Sequence, residues 1–287
     1  IRAYQTGRES QSILFEEEAN KMKKFVALLL AVLMVASLCA CGQKDTQTDT
    51  QTGSDIKTVT AGKLTMSTNA QFPPYESVAD DGKGYEGTGF EGIDIEIAYA
   101  LAQKLGLELV VDDMDFDSAL SAVQTGKSDI VAAGVTVTPE RQNTMCFTDS
   151  YANGVQVVIV KEGSDIKTID DLEGKQIGTQ RGTTGYSYCT DDYGEDSVVA
   201  FDDGATAVQN LLAGKVDCVV IDKAPAQEYV KANAGLTILD TDYANENYAI
   251  GLAKDNTALQ EALNKALAEL KADGTIQSII DKYIPSK

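Results

Sequence analysis

The sequence predicts an α/β protein built from two similar halves, and three observations carry this prediction. The chain has 287 residues, which is long for one domain and typical of two. Short apolar segments with strand character alternate with segments whose apolar residues recur every three or four positions, as they do in helices. The same turn also precedes a buried strand twice, as GKSDIV at 126–131 and as GKVDCV at 214–219.

The first half alternates strand and helix. Apolar residues spaced three and four apart predict a helix over 97–105 that ends at Gly106, with Asp94 as its cap. Gly126 stops a second predicted helix over 118–125. Strands are predicted at 63–68, 107–111 and 129–133.

The second half repeats this plan. Helices are predicted from residue 184, over 205–213 and from residue 223, and strands at 155–160, 176–179, 198–201 and 218–221. A last strand at 248–253 and helices at 257–272 and 275–283 are too few for a third domain, so we expect them to return to the first half. The prediction is therefore a first lobe of 58–152 plus 246–287 and a second lobe of 153–245. Two hinge crossovers, near 151–155 and 241–247, join mainly parallel sheets flanked by helices.

The N-terminal region has the pattern of an export signal. Met22, two lysines and an apolar stretch of 14 residues at 25–38 predict a signal peptide over 22–40. The stretch is shorter than the ~20 residues of a membrane span, and Cys41 follows Leu-Cys-Ala, which is similar to a bacterial lipobox. We expect lipidation at Cys41 and a lipoprotein on the outer face of the cell membrane. The alternative is a secreted protein cleaved near Ala40.

The segments on either side of this signal lack the pattern of a domain. Residues 1–21 precede Met22 and are expected to be a non-native or untranslated leader. Residues 41–57 contain almost no apolar side chain, so they predict a flexible linker between the lipid and the first lobe.

Composition excludes several classes of function. The formal net charge is -20, which repels the phosphates of a nucleic acid. The absence of His excludes His-ligated metal sites and His-assisted nucleophiles. No metal and no cofactor are predicted. The cysteines after Cys41 are odd in number, so we expect no disulfide framework; a bridge between Cys189 and Cys218 remains an alternative.

Two glycine-rich motifs and one acidic motif are interpreted as turns. G-x-G-x-x-G occurs at 82–87 and at 87–92, but the strand that must precede a dinucleotide-binding loop is missing. We therefore expect a hairpin there. Asp113, Asp115 and Asp117 imitate a calcium loop, but Ser118 stands where that loop needs Gly.

Polar and aromatic residues follow the ends of the predicted strands, where α/β sheets bind ligands. Arg141 can pair with a carboxylate through two hydrogen bonds, and Asp222 can pair with an ammonium group. Phe72, Tyr75 and Phe116 can form aromatic walls. This set fits a small zwitterion. Each residue also has a structural interpretation: Arg141 on a helix surface, Asp222 as the cap of the next helix, and the rings in the core.

Several motifs together resemble one family. GIDIEI at 92–97, FPPYE at 72–76, GVTVTPER at 134–141, FTDSY at 147–151 and GTTG at 182–185 are similar, in this order, to the motifs of the family 3 extracellular solute-binding proteins. These proteins are the polar amino-acid receptors of ABC importers. The resemblance implies a two-lobed, type II periplasmic-binding-protein fold that closes on a free amino acid at the hinge.

The resemblance also implies roles for individual residues. The ligand carboxylate would be held by Arg141, Thr136 and the Thr184 amide beside Thr183, and its ammonium group by the Gly134 carbonyl and Asp222. The ligand side chain would lie between Phe72 and Phe116, with Tyr75 in the same motif. Asn69 replaces an acid found in some basic-amino-acid receptors, which argues against a basic ligand. Arg181 would contact an acidic or amide side chain.

The implied function is capture without catalysis. The receptor would act as a monomer and deliver its amino acid to an ABC permease when the hinge closes. One alternative is a dehydratase-like enzyme on the same fold, for which Glu76 is the nearest candidate acid. The other is a sensor ectodomain, which is disfavoured because the sequence contains neither a span nor a signalling domain after the second lobe.

Overall fold

The computed structural model describes residues 56–285. The predictions for the leader, the signal peptide, Cys41 and all but the end of the linker lie outside the described residues. Among residues 56–285, no helix has both the length and the apolar character that a membrane crossing requires.

The first part of the chain alternates short strands and helices. Its elements are β1 (Lys63–Thr68), β2 (Gln71–Phe72), β3 (Glu76–Val78), β4 (Phe90–Glu91), α1 (Ile93–Leu105), β5 (Glu108–Asp113), α2 (Phe116–Gln124), β6 (Ile130–Val131), α3 (Pro139–Thr144) and β7 (Met145–Phe147). Strands β2, β3 and β4 form a small antiparallel sheet. The glycine-rich motifs lie in and after the β3–β4 connection, as expected for a hairpin.

The second part contains longer strands. Its elements are β8 (Ala152–Lys161), β9 (Ile177–Gln180), α4 (Thr184–Tyr193), β10 (Val198–Phe201), α5 (Gly204–Leu212), β11 (Cys218–Asp222), α6 (Lys223–Ala232), β12 (Leu236–Ile238) and β13 (Ala244–Tyr248). The chain then continues as β14 (Gly251–Ala253), α7 (Thr257–Ala272) and α8 (Thr275–Tyr283). Short 3₁₀ turns lie at Tyr85–Gly87, Ile169–Leu172 and Glu195–Ser197.

Two larger sheets organise these elements. The first sheet has the strand order β5-β1-β6-β14-β7, with β1 parallel to β5 and β6 and with β14 antiparallel to β6 and β7. The second sheet has the order β10-β9-β11-β8-β12, and β13 also pairs with β8. In this sheet β9 is parallel to β10 and β11, whereas β8 is antiparallel to its neighbours. Both sheets are therefore mixed, and the prediction that they are mainly parallel is wrong, because the strands that connect the two sheets enter each of them antiparallel.

The chain passes between the two sheets through β8 and β13. These two strands pair antiparallel, with Ala152 opposite Tyr248 and Gln156 opposite Ala244. The predicted strand over 248–253 is therefore wrong: Tyr248 ends β13 in the second sheet, and Gly251 begins β14 in the first. A continuous apolar run in a sequence does not show that the chain passes from one sheet to another within it. The exact boundaries of the two predicted lobes stay a prediction.

Buried aliphatic side chains hold the helices to the sheets. In the first sheet, Leu64 and Met66 of β1 are fully buried beside Ile95 and Leu101 of α1. Burial of a side chain of this size stabilises the fold by roughly 1.5–3 kcal/mol. In the second sheet, Val158, Ile177 and Val220 form a separate apolar cluster, which also contains Cys189 and Cys218.

The structure overturns two expectations about single residues. The α1 N-cap is Gly92, and no side chain caps it; Asp94 lies inside the first turn, where its Oδ2 accepts the Gly134 N–H at 2.8 Å. The alternative of a Cys189–Cys218 bridge is also wrong, because both are free thiols. Burial of Cys189 raises its pKa to about 12, as expected of an inert thiol in the core.

Candidate ligand-binding site

One cavity gathers most of the predicted ligand-binding residues between the first and second sheets. The space between its lining atoms amounts to about 440 Å³, part of which is open solvent. Its lining consists of Asn69, Phe72, Glu76, Phe116, Ala133, Gly134, Thr136, Arg141, Gln156, Gln180, Thr183, Thr184, Val220, Ile221 and Asp222. All of the predicted site residues except Tyr75 and Arg181 line it.

Arg141 is fixed in this cavity by the start of α3. Thr138 caps that helix by accepting the Arg141 backbone N–H at 3.1 Å, and Pro139 follows as the first helical residue, where proline is favoured. The Arg141 guanidinium donates to the Thr136 carbonyl at 2.9 Å and to the Gly182 carbonyl at 3.1 Å. It also lies over the Phe116 ring, 5.3 Å from its centroid. The interpretation of Arg141 as a surface helix residue is therefore wrong.

The Arg141 guanidinium has capacity for an anion. Its two protein acceptors are neutral carbonyls, and a guanidinium has five N–H donors. Burial lowers the pKa of Arg141, and the negative charge of Glu246 counteracts this effect. An arginine remains charged under such conditions. The cavity therefore contains a permanently charged cation that can bind a carboxylate by donating hydrogen bonds to it.

The start of α4 adds a second group for an anion. Thr183 is the N-cap, and its hydroxyl accepts the Tyr186 N–H at 3.2 Å and donates to the Gln180 carbonyl at 2.8 Å. Thr184 is the first residue of this helix, so its backbone N–H has no partner within the helix. Such an amide at the positive end of a helix favours a carboxylate.

Asp222 supplies the anion of the cavity. It ends β11 and stands at the N-cap position of α6, but its side chain makes no cap hydrogen bond. Instead it accepts a hydrogen bond from the hydroxyl group of Tyr248 in β13. Burial, followed by the negative charge of Glu246, raises the pKa of Asp222 to about 7. The interpretation of Asp222 as a helix cap is therefore wrong, and a cationic ligand group would favour its ionised form.

Amide side chains line the cavity on both sides. Gln180, the last residue of β9, donates to the Asn69 side-chain oxygen at 3.0 Å, and Asn69 donates to the Met114 carbonyl at 3.0 Å. Gln156 of β8 donates to Glu246 of β13 at 3.0 Å. Gln156 and Glu246 were not predicted, and the one sequence signal for Gln156 was its place within the apolar run VQVVIV at 155–160. Gln180 directly follows the predicted strand over 176–179, where ligand-binding residues are expected, but it was not among the predicted site residues.

Hydrogen bonds join residues of the first sheet's side to residues of the second sheet's side across this cavity. The Gln180–Asn69 and Arg141–Gly182 contacts are two of them. The Tyr229 hydroxyl of α6 makes a third by donating to the Gln71 carbonyl at 2.8 Å. The cleft is therefore closed in this structure.

Aromatic rings complete the wall. Phe72 and Phe116 line the cavity and are almost fully buried. Tyr75 lies behind Phe72, with the two rings stacked at a centroid distance of 5.8 Å, and it meets the Tyr248 ring edge-on at 5.2 Å. Tyr75 lines a neighbouring cavity instead. Tyr75 therefore supports the Phe72 ring from behind and does not line the candidate site.

The structure places Arg181 outside the cavity. Its guanidinium is mostly exposed, lies 3.7 Å from Asp202 and donates to the Ala200 carbonyl at 3.4 Å. This position does not support the prediction that Arg181 contacts the ligand side chain.

Two acids lie beneath the cavity. Glu76 lines it and is 1% exposed, and Asp94 is equally buried. Burial and the neighbouring Asp94 raise the pKa of Glu76 well above its usual range. Burial also raises the pKa of Asp94, to about 6. Within residues 56–285 no group of His, Cys, Asp and Glu side chains is arranged to bind a metal ion.

Comparison with known proteins extends these observations to a family. The sequence model of the bacterial extracellular solute-binding proteins, family 3, matches residues 64–286. The ABC transporter arginine-binding protein 1 of Escherichia coli (strain K12) is 36% identical over 230 residues, which cover 78% of this chain and 92% of that protein. The arginine-binding extracellular protein ArtP of Bacillus subtilis (strain 168) is 31% identical over 275 residues, which cover 91% and 98%.

A solved structure agrees with the sequence matches. An ancestral arginine-binding protein bound to glutamine superimposes with a TM-score of 0.73 at 39% identity, covering 79% of this chain and 100% of that one. This likeness confirms the predicted fold class, a two-lobed α/β fold of type II.

Proposed function

The chain belongs to the family 3 bacterial extracellular solute-binding proteins, and on this premise we propose that it is the amino-acid receptor of an ABC importer. One observation carries the proposal. A guanidinium from the first sheet's side, Arg141, and a carboxylate from the second, Asp222, line one cavity between the two sheets. A free amino acid carries the two complementary charges.

The proposed roles follow from the chemistry of each group. Arg141 holds the ligand carboxylate with the Thr136 hydroxyl and the Thr184 amide, since all three are hydrogen-bond donors. Asp222 and the Gly134 carbonyl accept the ligand ammonium. The rings of Phe72 and Phe116 enclose the side chain.

Hinge closure is the proposed signal to the permease. The proposed lobes are residues 58–152 plus 246–287 and residues 153–245. A ligand held by groups of both lobes favours the closed state, because only that state offers all of its contacts. The protein would act as a monomer, and no bond would be made or broken. Membership of a family of solute-binding proteins favours capture over the dehydratase alternative.

The ligand is proposed to be a polar amino acid. Asn69, Gln156 and Gln180 surround the cavity with neutral amide groups, which can donate to or accept from a polar side chain. Relatives named for arginine and for cystine, and the ancestral protein bound to glutamine, define the first candidates.

A thermal-shift screen of the protein against the twenty common amino acids and cystine tests this function. We expect one or a few polar amino acids to raise the melting temperature. A ligand at one hundred times its Kd stabilises the folded state by about 2.7 kcal/mol. Absence of a shift with every amino acid would exclude the proposed receptor function, and a shift with an aromatic or aliphatic amino acid alone would exclude the proposed ligand class.

Lipid attachment at Cys41 is a separate proposal. It is supported by the short apolar segment over 25–38 and by the lipobox-like residues before Cys41. We expect labelled fatty acid to be incorporated in a bacterial host, and a Cys41→Ala variant to lose both the label and the membrane fraction. Label that persists in this variant would contradict the proposal, as would a wild-type protein that is cleaved near Ala40 and released.

A further inference from the structure

One of the two buried acids beside the cavity lacks the partners that a buried carboxylate needs. Glu76 is the first residue of β3 and Asp94 the second of α1, and each is 1% exposed. Neither Glu76 oxygen receives a hydrogen bond from a donor group of the described residues, whereas Asp94 has the Gly134 N–H and the neighbouring Tyr151 hydroxyl as donors. A buried, unpaired carboxylate costs several kcal/mol. The two carboxyl groups do contact each other, so one shared proton would give both a partner.

The other Asp94 oxygen connects this pair to the ligand site. Asp94 Oδ2 accepts the Gly134 backbone N–H at 2.8 Å. Gly134 has a φ of 54°, in the left-handed region that favours glycine. A Cβ atom there would lie 2.8 Å from the Phe72 ring. Gly134 is therefore held in a turn between the Asp94 carboxylate and a ring of the cavity wall.

We propose that Glu76 carries a proton, donates it in a hydrogen bond to Asp94, and thereby acts as a positioning residue for the Gly134 turn of the ligand site. The ligand step rests on the proposed function, in which the Gly134 carbonyl accepts the ammonium group. Donation from Glu76 leaves Asp94 as a single fixed anion, whose free oxygen orients the Gly134 peptide.

The surroundings of Glu76 favour its protonated form. Burial has the largest effect on its pKa, followed by the negative charges of Asp94 of α1, Asp222 of β11 and Asp113 of β5, all of which raise it. The other titratable groups near it are phenols, which are uncharged near neutral pH: Tyr75, Tyr151 and Tyr229 of α6. When the pH rises through this raised pKa, Glu76 loses its proton and two adjacent carboxylates repel each other. Ligand affinity then falls, and the loss of stability accumulates over the interval between the unfolded pKa of Glu76 and this raised value.

Two variants of similar size separate a proton-donating Glu76 from the alternatives. Glu76→Gln keeps a neutral donor toward Asp94 and does not titrate, whereas Glu76→Leu removes the donor. Calorimetry with L-glutamine and L-arginine at pH 6 to 9 gives the affinities. We expect Glu76→Leu to bind roughly tenfold or more weakly, in line with the loss of a hydrogen bond to a charged group. Glu76→Gln should recover most of that loss and lack the alkaline decline of the wild type.

Two outcomes would overturn the proposal. Equal losses in Glu76→Gln and Glu76→Leu, largest for arginine, would make Glu76 an ionised partner of the ligand. Unchanged binding in both variants and an unchanged pH profile would leave it without a positioning role.

Infrared difference spectroscopy without ligand tests the proton itself. We expect a protonated-carboxyl band at pH 7 that Glu76→Gln lacks. Absence of this band in the wild type would overturn the proposal even if the protein binds an amino acid. Conversely, a wild type that shows the band and binds neither amino acid would contradict the proposed ligands while leaving the proton on Glu76 supported.

Discussion

Methionine in place of Arg141 is expected to weaken amino-acid binding by roughly 30-fold to several thousand-fold, the range for loss of one partner of a buried charge pair. The carboxylate of a bound amino acid would then be enclosed without its cation. Methionine keeps much of the length of the side chain, so packing against Phe116 is largely retained. Isothermal calorimetry with the amino acid that gives the largest thermal shift measures the effect.

The chain contains a matched control for this substitution. Arg181 is mostly exposed, lies outside the cavity and contacts Asp202. Arg181→Met removes the same charge from the protein and should leave the affinity within about twofold, since exposed ion pairs contribute little. Equal losses in both variants would indicate a long-range effect of net charge. Unchanged binding in Arg141→Met, with the fold intact by circular dichroism, would refute the proposed carboxylate site.

Arg141→Lys distinguishes charge from geometry. Lysine keeps the positive charge but lacks the planar fork that bonds a carboxylate in two places. The Thr136 and Gly182 carbonyls now accept from two separate nitrogens of Arg141, and one ammonium group cannot reproduce that arrangement. The geometry therefore predicts an affinity between those of the wild type and Arg141→Met.

Local sequence signals predicted most of the fold correctly. Glycines such as Gly106 and Gly126 end helices because they adopt left-handed backbone conformations, and the apolar period distinguishes helix from strand. The errors arose where a boundary depends on distant partners. Strands β13 and β14 belong to different sheets, and only their pairing with β8, β6 and β7 separates them.

The candidate site was predictable to the extent that it lies at strand ends. Gly134, Thr136 and Asp222 each follow or end a buried strand, so the rule for α/β sheets identified them. Gln156 and Glu246 were not predicted because they are 90 residues apart in the sequence and come into contact only when β8 pairs with β13. The role of Asp94 was also misjudged. A carboxylate near a helix start usually caps that helix, and only the tertiary structure shows that its oxygen reaches Gly134.

The same pairing of hinge strands connects the anion of the site to the hinge. Tyr248 of β13 donates to Asp222 and packs its ring against Gly154 of β8, where a Cβ atom would lie 2.4 Å from the tyrosine. Because β8 and β13 are the strands through which the chain passes between the sheets, the environment of Asp222 depends on how they pair. Asp222 therefore has a direct partner, Tyr248, on one of the two strands that connect the sheets.

Ligand affinity is expected to fall as the pH drops below about 7, because the raised pKa of Asp222 makes it neutral there. A bound ammonium group requires the carboxylate, so binding must expel the proton, at a cost of up to about tenfold in affinity per pH unit. Asp94, with a pKa of about 6, adds its own dependence below that value. Calorimetry from pH 5 to 8 gives the profile. Asp222→Asn should bind roughly 30-fold or more weakly at pH 8 and lose the component near pH 7.

The ligand-free protein should respond to Asp222→Asn in the opposite direction. An acid whose folded pKa lies above its unfolded value destabilises the fold as the pH rises through that interval. Removing the buried charge is therefore expected to raise the free energy of unfolding at pH 8 by on the order of 1–4 kcal/mol, with little change at pH 4. Urea unfolding at both pH values measures this, and Asp202→Asn, at an exposed acid, is the matched control. A variant that is less stable at pH 8 but binds as the wild type does would show that Asp222 serves the fold rather than the ligand.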